Sequence, residues 1–173
     1  MIEIRDVSPK DAEAIAAIYS HHVLHGTATY DIDPPAADET RAKIERITGS
    51  RWPFIVAVVD GSVAGYAYAT QFRDRAAYRF ACEDSIYVHP ERTGKGIGKA
   101  LIRALCERSQ AAGFRQIIAV IGGGEPASVG VHRACGFELV GTLHAVGWKK
   151  ERWLDSVYMQ LALGPGSNQP PDA

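Results

Sequence analysis

Cysteine is scarce in this chain of 173 residues: Cys82, Cys106 and Cys135 form an odd set without metal or redox spacing. They read as small core residues in a reducing compartment, and no local signature marks a catalytic thiol. Long apolar runs are missing as well. None approaches the roughly 18 residues that a membrane span requires, and Met1-Ile2-Glu3-Ile4-Arg5 lacks the charged-then-apolar layout of a secretion signal. A cytoplasmic protein with no membrane partner is therefore expected. An excess of charge is also absent. The formal net charge of −1 gives no general field for steering nucleic acid, so no nucleic-acid partner is expected. His21, His22 and His25 resemble a metal cluster only superficially; at a helix end they complement the dipole, and no metal is expected. No internal repeat is visible.

What remains is ordinary globular composition, 46% hydrophobic and 23% charged, enough for a single domain with a sizeable core. That domain is read over residues 1–163. The tail from Gly164 to Ala173, rich in Gly, Pro, Ser and Asn, cannot bury apolar surface and is expected to be disordered. Ser8-Pro9 reads as an N-cap with proline at the first helical position, opening a helix that runs to about Val23. A second helix is read over Asp38–Thr48. Phe54–Val59, Asp60-Gly61 and Val63–Thr70 read as a hairpin, because Asp-Gly supplies the positive φ angles of a tight turn. Strands are read over Ala81–Val88 and Gln116–Ile121, a short helix over Ala127–Cys135, and a last antiparallel pair over Leu139–Trp148 and Ser156–Leu163. Strands before and after one helix-bearing crossover make a mixed α/β sheet.

The most informative stretch is EDSIYVHPERTGKGIGKAL, Glu83 to Leu101. A strand runs into a glycine-spaced loop that opens a helix over roughly Ile97–Ala111. Gly94, Gly96 and Gly98 carry no Cβ, so backbone N–H groups can approach an anion closely. The helix N-terminus adds its dipole at the same point, and Lys95 and Lys99 add mobile charge. A dinucleotide loop is excluded by register: the sixth position from Gly94 is Lys99 and from Gly96 is Leu101, where a small residue is needed. The mononucleotide G-x-x-x-x-G-K-[ST] loop is absent. A glycine-rich turn that binds nothing is the competing reading.

Thr93-Gly94-Lys95-Gly96-Ile97-Gly98 resembles the coenzyme A loop of the GCN5-related N-acetyltransferases, and other stretches resemble the phosphinothricin and methionine sulfoximine acetyltransferases within that superfamily. These are Phe72–Tyr78, Glu83–Val88, Ile121–Ser128, His132 with Gly136-Phe137, and Gly147–Lys149 through Trp153–Asp155. The resemblance spans about Arg5 to Leu163. Two positions depart from it: Thr93, beside Arg92, stands where Gln or Arg is usual, and Glu125 stands where Asn is usual. Both touch coenzyme contacts. The implied fold is a mixed, mostly antiparallel central sheet flanked by helices, with splayed strands holding acetyl-CoA as acyl donor.

The resemblance implies that backbone around Ile86, Tyr87 and Val88 pairs with the pantetheine arm like an added strand. The pyrophosphate would lie on Arg92, Thr93 and the loop from Gly94 to Lys99, with Glu125 and Ser128 nearby. Acetyl transfer needs a neutral amine, and a free α-amine has a pKa near 8 or higher, so a base is required at neutral pH. Glu83 is the candidate, and the matching glutamate in the family is the catalytic base; the alternative is a carboxylate paired with Arg73, Arg75 or Arg79. With a strand period of two, Glu83, Ser85 and Tyr87 share one face and Cys82, Asp84, Ile86 and Val88 the other. His132 takes a catalytic role by resemblance, polarising the thioester or assisting the thiolate; the alternative is a structural histidine. A strand N–H at Tyr87 or Val88 would meet the oxyanion. Arg73, Arg75 and Tyr78 would hold an anionic, tetrahedral-headed amino acid, unless the arginines are ordinary exposed ones, and Thr29 and Tyr30 would complete the pocket, with a dimer partner as one source. A homodimer is expected. Rival functions are acetylation of a protein N-terminus, lysine or polyamine, and a noncatalytic acyl-CoA sensor.

Overall fold

The computed structural model describes residues 1–171. Strand β1 (Glu3–Asp6) leads to helix α1 (Ala12–His25). Ser8 does cap the chain there, but it caps a single 3-10 turn, Pro9–Asp11, in which Asp11 accepts from the Ser8 N–H at 2.8 Å and is gripped by Arg5. The α-helix begins only after that turn. Helix α2 (Ala37–Gly49) follows, then β2 (Phe54–Val59), β3 (Ser62–Gln71), β4 (Ala81–Val88), α3 (Ile97–Ala111), β5 (Gln116–Gly122), α4 (Pro126–Ala134), β6 (Glu138–Lys149) and β7 (Arg152–Ala162).

Asp60 and Gly61 turn the β2–β3 hairpin with φ of 53° and 75°, as the dipeptide dictates. The β6–β7 hairpin is longer than its sequence suggests. Its turn residues, Lys150 and Glu151, also hold positive φ, 52° and 56°, without the Gly, Asn or Asp that normally signals such a turn, so Arg152–Asp155 belong to β7. Trp148 consequently sits opposite Trp153. Of the terminal segment expected to be disordered, the described part folds into turns: the Gly166 N–H donates to Leu163 and the Asn168 N–H to Pro165, each at 3.0 Å. Residues 172–173 of that tail lie outside the described residues.

The seven strands form one sheet in the order β1-β2-β3-β4-β5-β7-β6, antiparallel except for the β4–β5 step. Because β2 and β3 are covered on both sides, their apolar runs are nearly continuous. Ile55, Ala57, Ala67 and Cys82 face α3, packing with Leu101, Ile102 and Leu105; Phe54, Val56, Tyr66 and Tyr68 face α1 and α2, packing with Ile15, Ile18, Ile44 and Ile47. No helix among the described residues is long and apolar enough to cross a membrane.

One feature of the sheet positions the site. Strand β4 pairs with β5 only at Ala81, Cys82 and Glu83, opposite Gln116, Ile117 and Ile118, and the two then diverge. Beyond that point β4 keeps its partner β3 as far as Val88, while β5 keeps β7 as far as Gly122.

Candidate active site

The divergence leaves one edge of β4 without a ladder. Its hydrogen-bond phase follows from the two ends: the His89 N–H donates to Ala64 at 2.9 Å and Ala81 accepts from the Phe72 N–H at 3.0 Å, so odd-numbered residues face β3. The main-chain groups of Asp84, Ile86 and Val88 therefore face the gap. Tyr87 does not offer its N–H there, which corrects the expectation that Tyr87 or Val88 serves equally. Its side chain packs among Tyr19, Tyr66 and His22, edge-on to Tyr19 at 4.9 Å between ring centres. The Val88 carbonyl already accepts from His22 Nε2 at 2.8 Å. That leaves the Ile86 N–H and C=O and the Val88 N–H as the open edge for an extended ligand.

The glycine loop lies at the far end of the same strand. Gly94 and Gly96 hold φ of 73° and 80°, and Gly96 is the left-handed residue from which α3 starts. A Cβ would find space at either, so it is the backbone conformation that demands glycine. Gly98 is helical and lies between Val88 and Val131. The Ile97 side chain is buried in the core, leaving only its N–H for the loop. Thr93 and Lys95 bond to the preceding turn, Oγ1 to Pro90 at 3.2 Å and Nζ to Glu91 at 3.3 Å, while Arg92 lies 3.4 Å from Asp60. Lys99 leaves its carbonyl 3.9 Å from Cys135 Sγ. The unbonded N–H groups at the start of α3, with lysines beside them, fit a pyrophosphate.

Glu125 has a different task from the one its position suggested. Its carboxylate accepts from the Ser128 N–H at 2.8 Å and caps α4. One Glu125 oxygen and the Ser128 amide are thus engaged in capping their own helix.

Glu83 occupies the last paired position before the strands part. Burial pushes its pKa up; Arg73 opposes and Asp84 adds to the rise. Arg73 Nη1 lies 3.8 Å from Glu83 Oε2, and with side chains 51% and 33% exposed this pair is weak. The guanidinium is also stacked 4.0 Å over its neighbour Phe72. Arg75 and Tyr78 are exposed on the same β3–β4 connection, with Tyr78 edge-on to Phe72. None of these three lines the cavity beside Glu83.

That cavity, about 200 Å³, is bounded by Glu83, Ser85, Tyr87, Thr29, Tyr30 and the end of β5. A larger one, about 650 Å³, opens over Tyr66 and Tyr68 between α1 and α2. The smaller is the candidate reaction site, since it holds the partly buried carboxylate and the open strand edge. Thr29 and Tyr30 reach it within the same chain, so the pocket does not need them from a partner. A Cβ at Gly122 would lie 2.9 Å from the carbonyls of Thr27 and Ala28, and one at Gly147 would lie 2.7 Å from the Tyr30 ring. Glycine at both lets the loop settle. Lys149 Nζ then donates to the Thr29 carbonyl at 2.8 Å, and the Tyr30 hydroxyl bonds Asp155 O and Ser156 Oγ at 2.9 and 2.8 Å.

His132 borders this cavity but has no free ring nitrogen. Nδ1 donates to the Ser128 carbonyl at 2.7 Å, and Nε2 meets Asp84 Oδ2 at 2.8 Å, with both side chains 2% exposed. Burial pulls the imidazole pKa down, but the Asp84 bond and charge and the Ser128 carbonyl more than reverse it, so the net shift is upward. Both ring nitrogens are thus engaged, by Ser128 and by Asp84, rather than presented to the cavity. Asp84 is the residue that sequence reasoning missed. The signal was present: alternation puts this carboxylate on the core-facing side with Cys82, where it requires a partner.

Burial pushes the Cys82, Cys106 and Cys135 thiols up, Cys106 to about 12, which leaves no thiolate at neutral pH. No group of three metal-binding side chains occurs among the described residues.

Comparison with known proteins agrees with this geometry. A family model described as an acetyltransferase (GNAT) domain matches residues 4–158. A phosphinothricin N-acetyltransferase of Alcaligenes faecalis is 44% identical over 98% of this chain and 86% of its own. An L-methionine sulfoximine/L-methionine sulfone acetyltransferase of Pseudomonas aeruginosa is 38% identical over 96% and 98%. The crystal structure of a phosphinothricin acetyltransferase from Sinorhizobium meliloti in complex with AcCoA superposes with a TM-score of 0.97 at 50% identity, covering 99% of this chain and 93% of that one. With the diverging strands, the left-handed glycine loop and the desolvated glutamate in place, this chain belongs to the GNAT acetyltransferase family.

Proposed function

We propose that the protein transfers the acetyl group of acetyl-CoA to the α-amine of a small amino-acid analogue with a tetrahedral side-chain head, such as L-phosphinothricin or L-methionine sulfoximine or sulfone. One observation carries the reading: Glu83, with its pKa raised by burial, stands where β4 leaves β5, at one end of an open strand edge whose other end is the glycine loop. In this arrangement the Glu83 carboxylate takes a proton from the acceptor ammonium. The amine nitrogen forms its bond to the thioester carbonyl carbon, the C–S bond breaks with its electron pair going to sulfur, and the remaining surplus N–H proton passes to the departing thiolate, leaving a neutral amide and the free thiol. The Val88 N–H, aimed into the gap, supports the oxyanion as charge develops. Direct attack suffices, since no activated nucleophile is available.

Arg73, 3.8 Å from Glu83, stands near the base and suits an anionic head, which favours these acceptors over cationic ones. A homodimer fits the edge strand β6, which exposes Leu139, Val140, Leu143, Val146 and Trp148, beside Trp153 of β7. Three free cysteines suit a reducing cytoplasm.

Thiol release from acetyl-CoA by the purified protein tests the reading, with L-phosphinothricin, methionine sulfoximine, methionine sulfone, glutamate, spermidine and a lysine peptide as acceptors. Turnover confined to the tetrahedral-headed amino acids is expected. Turnover only with the cationic amines would overturn the substrate class.

A further inference from the structure

Two strands that part company need something to fix the angle between them. Backbone pairing does so through Glu83 and Ile118 and then stops. At the next residue a side chain takes over. Asp84 reaches from β4 to His132 on α4, the helix that follows β5, and His132 is tied in turn to the Ser128 carbonyl one helical turn earlier. The Ser128 amide is held by Glu125, so the chain of contacts runs from the point of divergence to the first turn of α4. The ring is wedged edge-on against Phe137 at 4.9 Å, and the His132 carbonyl accepts from the Phe137 N–H at 3.1 Å, which fastens the far end of the helix.

We propose that Asp84 and His132 form a positioning clamp that sets the width of the wedge between β4 and β5 and, through the shared backbone, the aim of Glu83. The inference rests on the acetyl-CoA reading of that wedge. Without a bridge, β4 is free to continue its parallel ladder on β5 and close the open edge, or to swing away from it. A bridge of fixed length forbids both. A charge-assisted pair with both members buried has a much narrower range of lengths and angles than an apolar contact. Glu83 and Asp84 are consecutive and point to opposite faces, so anchoring Asp84 beneath the strand orients the carboxylate above it. His132 acts in this scheme as a positioning residue and touches no reacting atom.

The test is calorimetric titration of the purified protein with acetyl-CoA in the absence of acceptor, followed by kcat and KM for acetyl-CoA with L-phosphinothricin. Removing one partner alone strands a buried charge, so the main variant replaces both: Asp84→Val with His132→Leu fills the space with apolar groups and keeps the core packed. A Kd for acetyl-CoA raised about tenfold is expected, with the KM rising by more than kcat falls, because a loosened wedge weakens binding before it affects chemistry. Asp84→Asn, which can still bond Nε2, should stay within about threefold of the parent. A doubly substituted protein that folds and binds acetyl-CoA within twofold of the parent would overturn the clamp. So would a loss of kcat at unchanged KM, which would return His132 to the chemistry. If the double variant does not fold, His132→Gln decides by the same titration, and a Kd within twofold of the parent again overturns the clamp. Failure of the parent itself to bind acetyl-CoA would sink the underlying functional reading, whereas binding that survives within twofold in the double variant or in His132→Gln sinks the clamp alone.

Discussion

Replacing Glu83 by Gln removes the proposed base while keeping shape and hydrogen-bonding reach. The structural cost is small. The Arg73 pair is 3.8 Å long and partly exposed, worth roughly 0–1 kcal/mol, and removing a charge disfavoured by burial offsets it. The folded protein should therefore melt within a few degrees of the parent. Acetyl-CoA affinity should also hold, because the glycine loop that fits the pyrophosphate lies beyond Val88, more than about 16 Å along the chain from Glu83. The rate should not hold. General-base catalysis contributes about 10²–10⁴-fold, and with an α-amine pKa near 8 only about one acceptor in ten is neutral at pH 7. Without a base the reaction depends on that neutral fraction, so kcat/KM of the variant should climb about tenfold from pH 7 to pH 9 and part of the defect should close. In the parent, the acid limb of the profile should lie above the usual glutamate range, because burial raises the Glu83 pKa, and the variant should lack that limb. Initial rates of thiol release from pH 5 to 9.5 measure all of this. A variant with unchanged kcat and an unchanged pH profile would refute the role.

Three further outcomes follow from the geometry. Gly96→Ala forces a left-handed residue at the start of α3, which should cost about 1–2 kcal/mol in chemical denaturation and weaken acetyl-CoA binding in the same calorimetric titration. Gly147→Ala would bring a Cβ 2.7 Å from the Tyr30 ring and displace that side chain, so the acceptor KM should rise several-fold while the acetyl-CoA Kd stays within twofold. The His132 pKa is raised in the folded state, so its contribution to stability is full below about pH 6.5, the unfolded value, and is lost as pH rises through the folded value. Urea unfolding of the parent and of His132→Gln should therefore differ more at pH 5.5 than at pH 9, and a gap that widens with pH would contradict the buried ion pair.

The sequence by itself determined the elements and the loop. The continuous apolar run Phe54–Val59, the Asp60-Gly61 turn, the bounds of Ala81–Val88 and of Ile97–Ala111, and the glycine spacing between them are set by residues within a few positions of each other, and local sterics act over that range. Even there, local chemistry misled where a turn was made of unusual residues, Lys150 and Glu151, held at positive φ by the strands on either side. Tertiary structure alone decided where β4 leaves β5, which N–H groups face the gap, and that Thr29 and Tyr30 close the pocket within one chain. It also joined Asp84 to His132 across 48 residues and turned Glu125 into a helix cap. The physical reason is range. Burial, hydrogen-bond phase and charge pairing depend on what the chain brings alongside a residue, and no window of neighbouring sequence contains that.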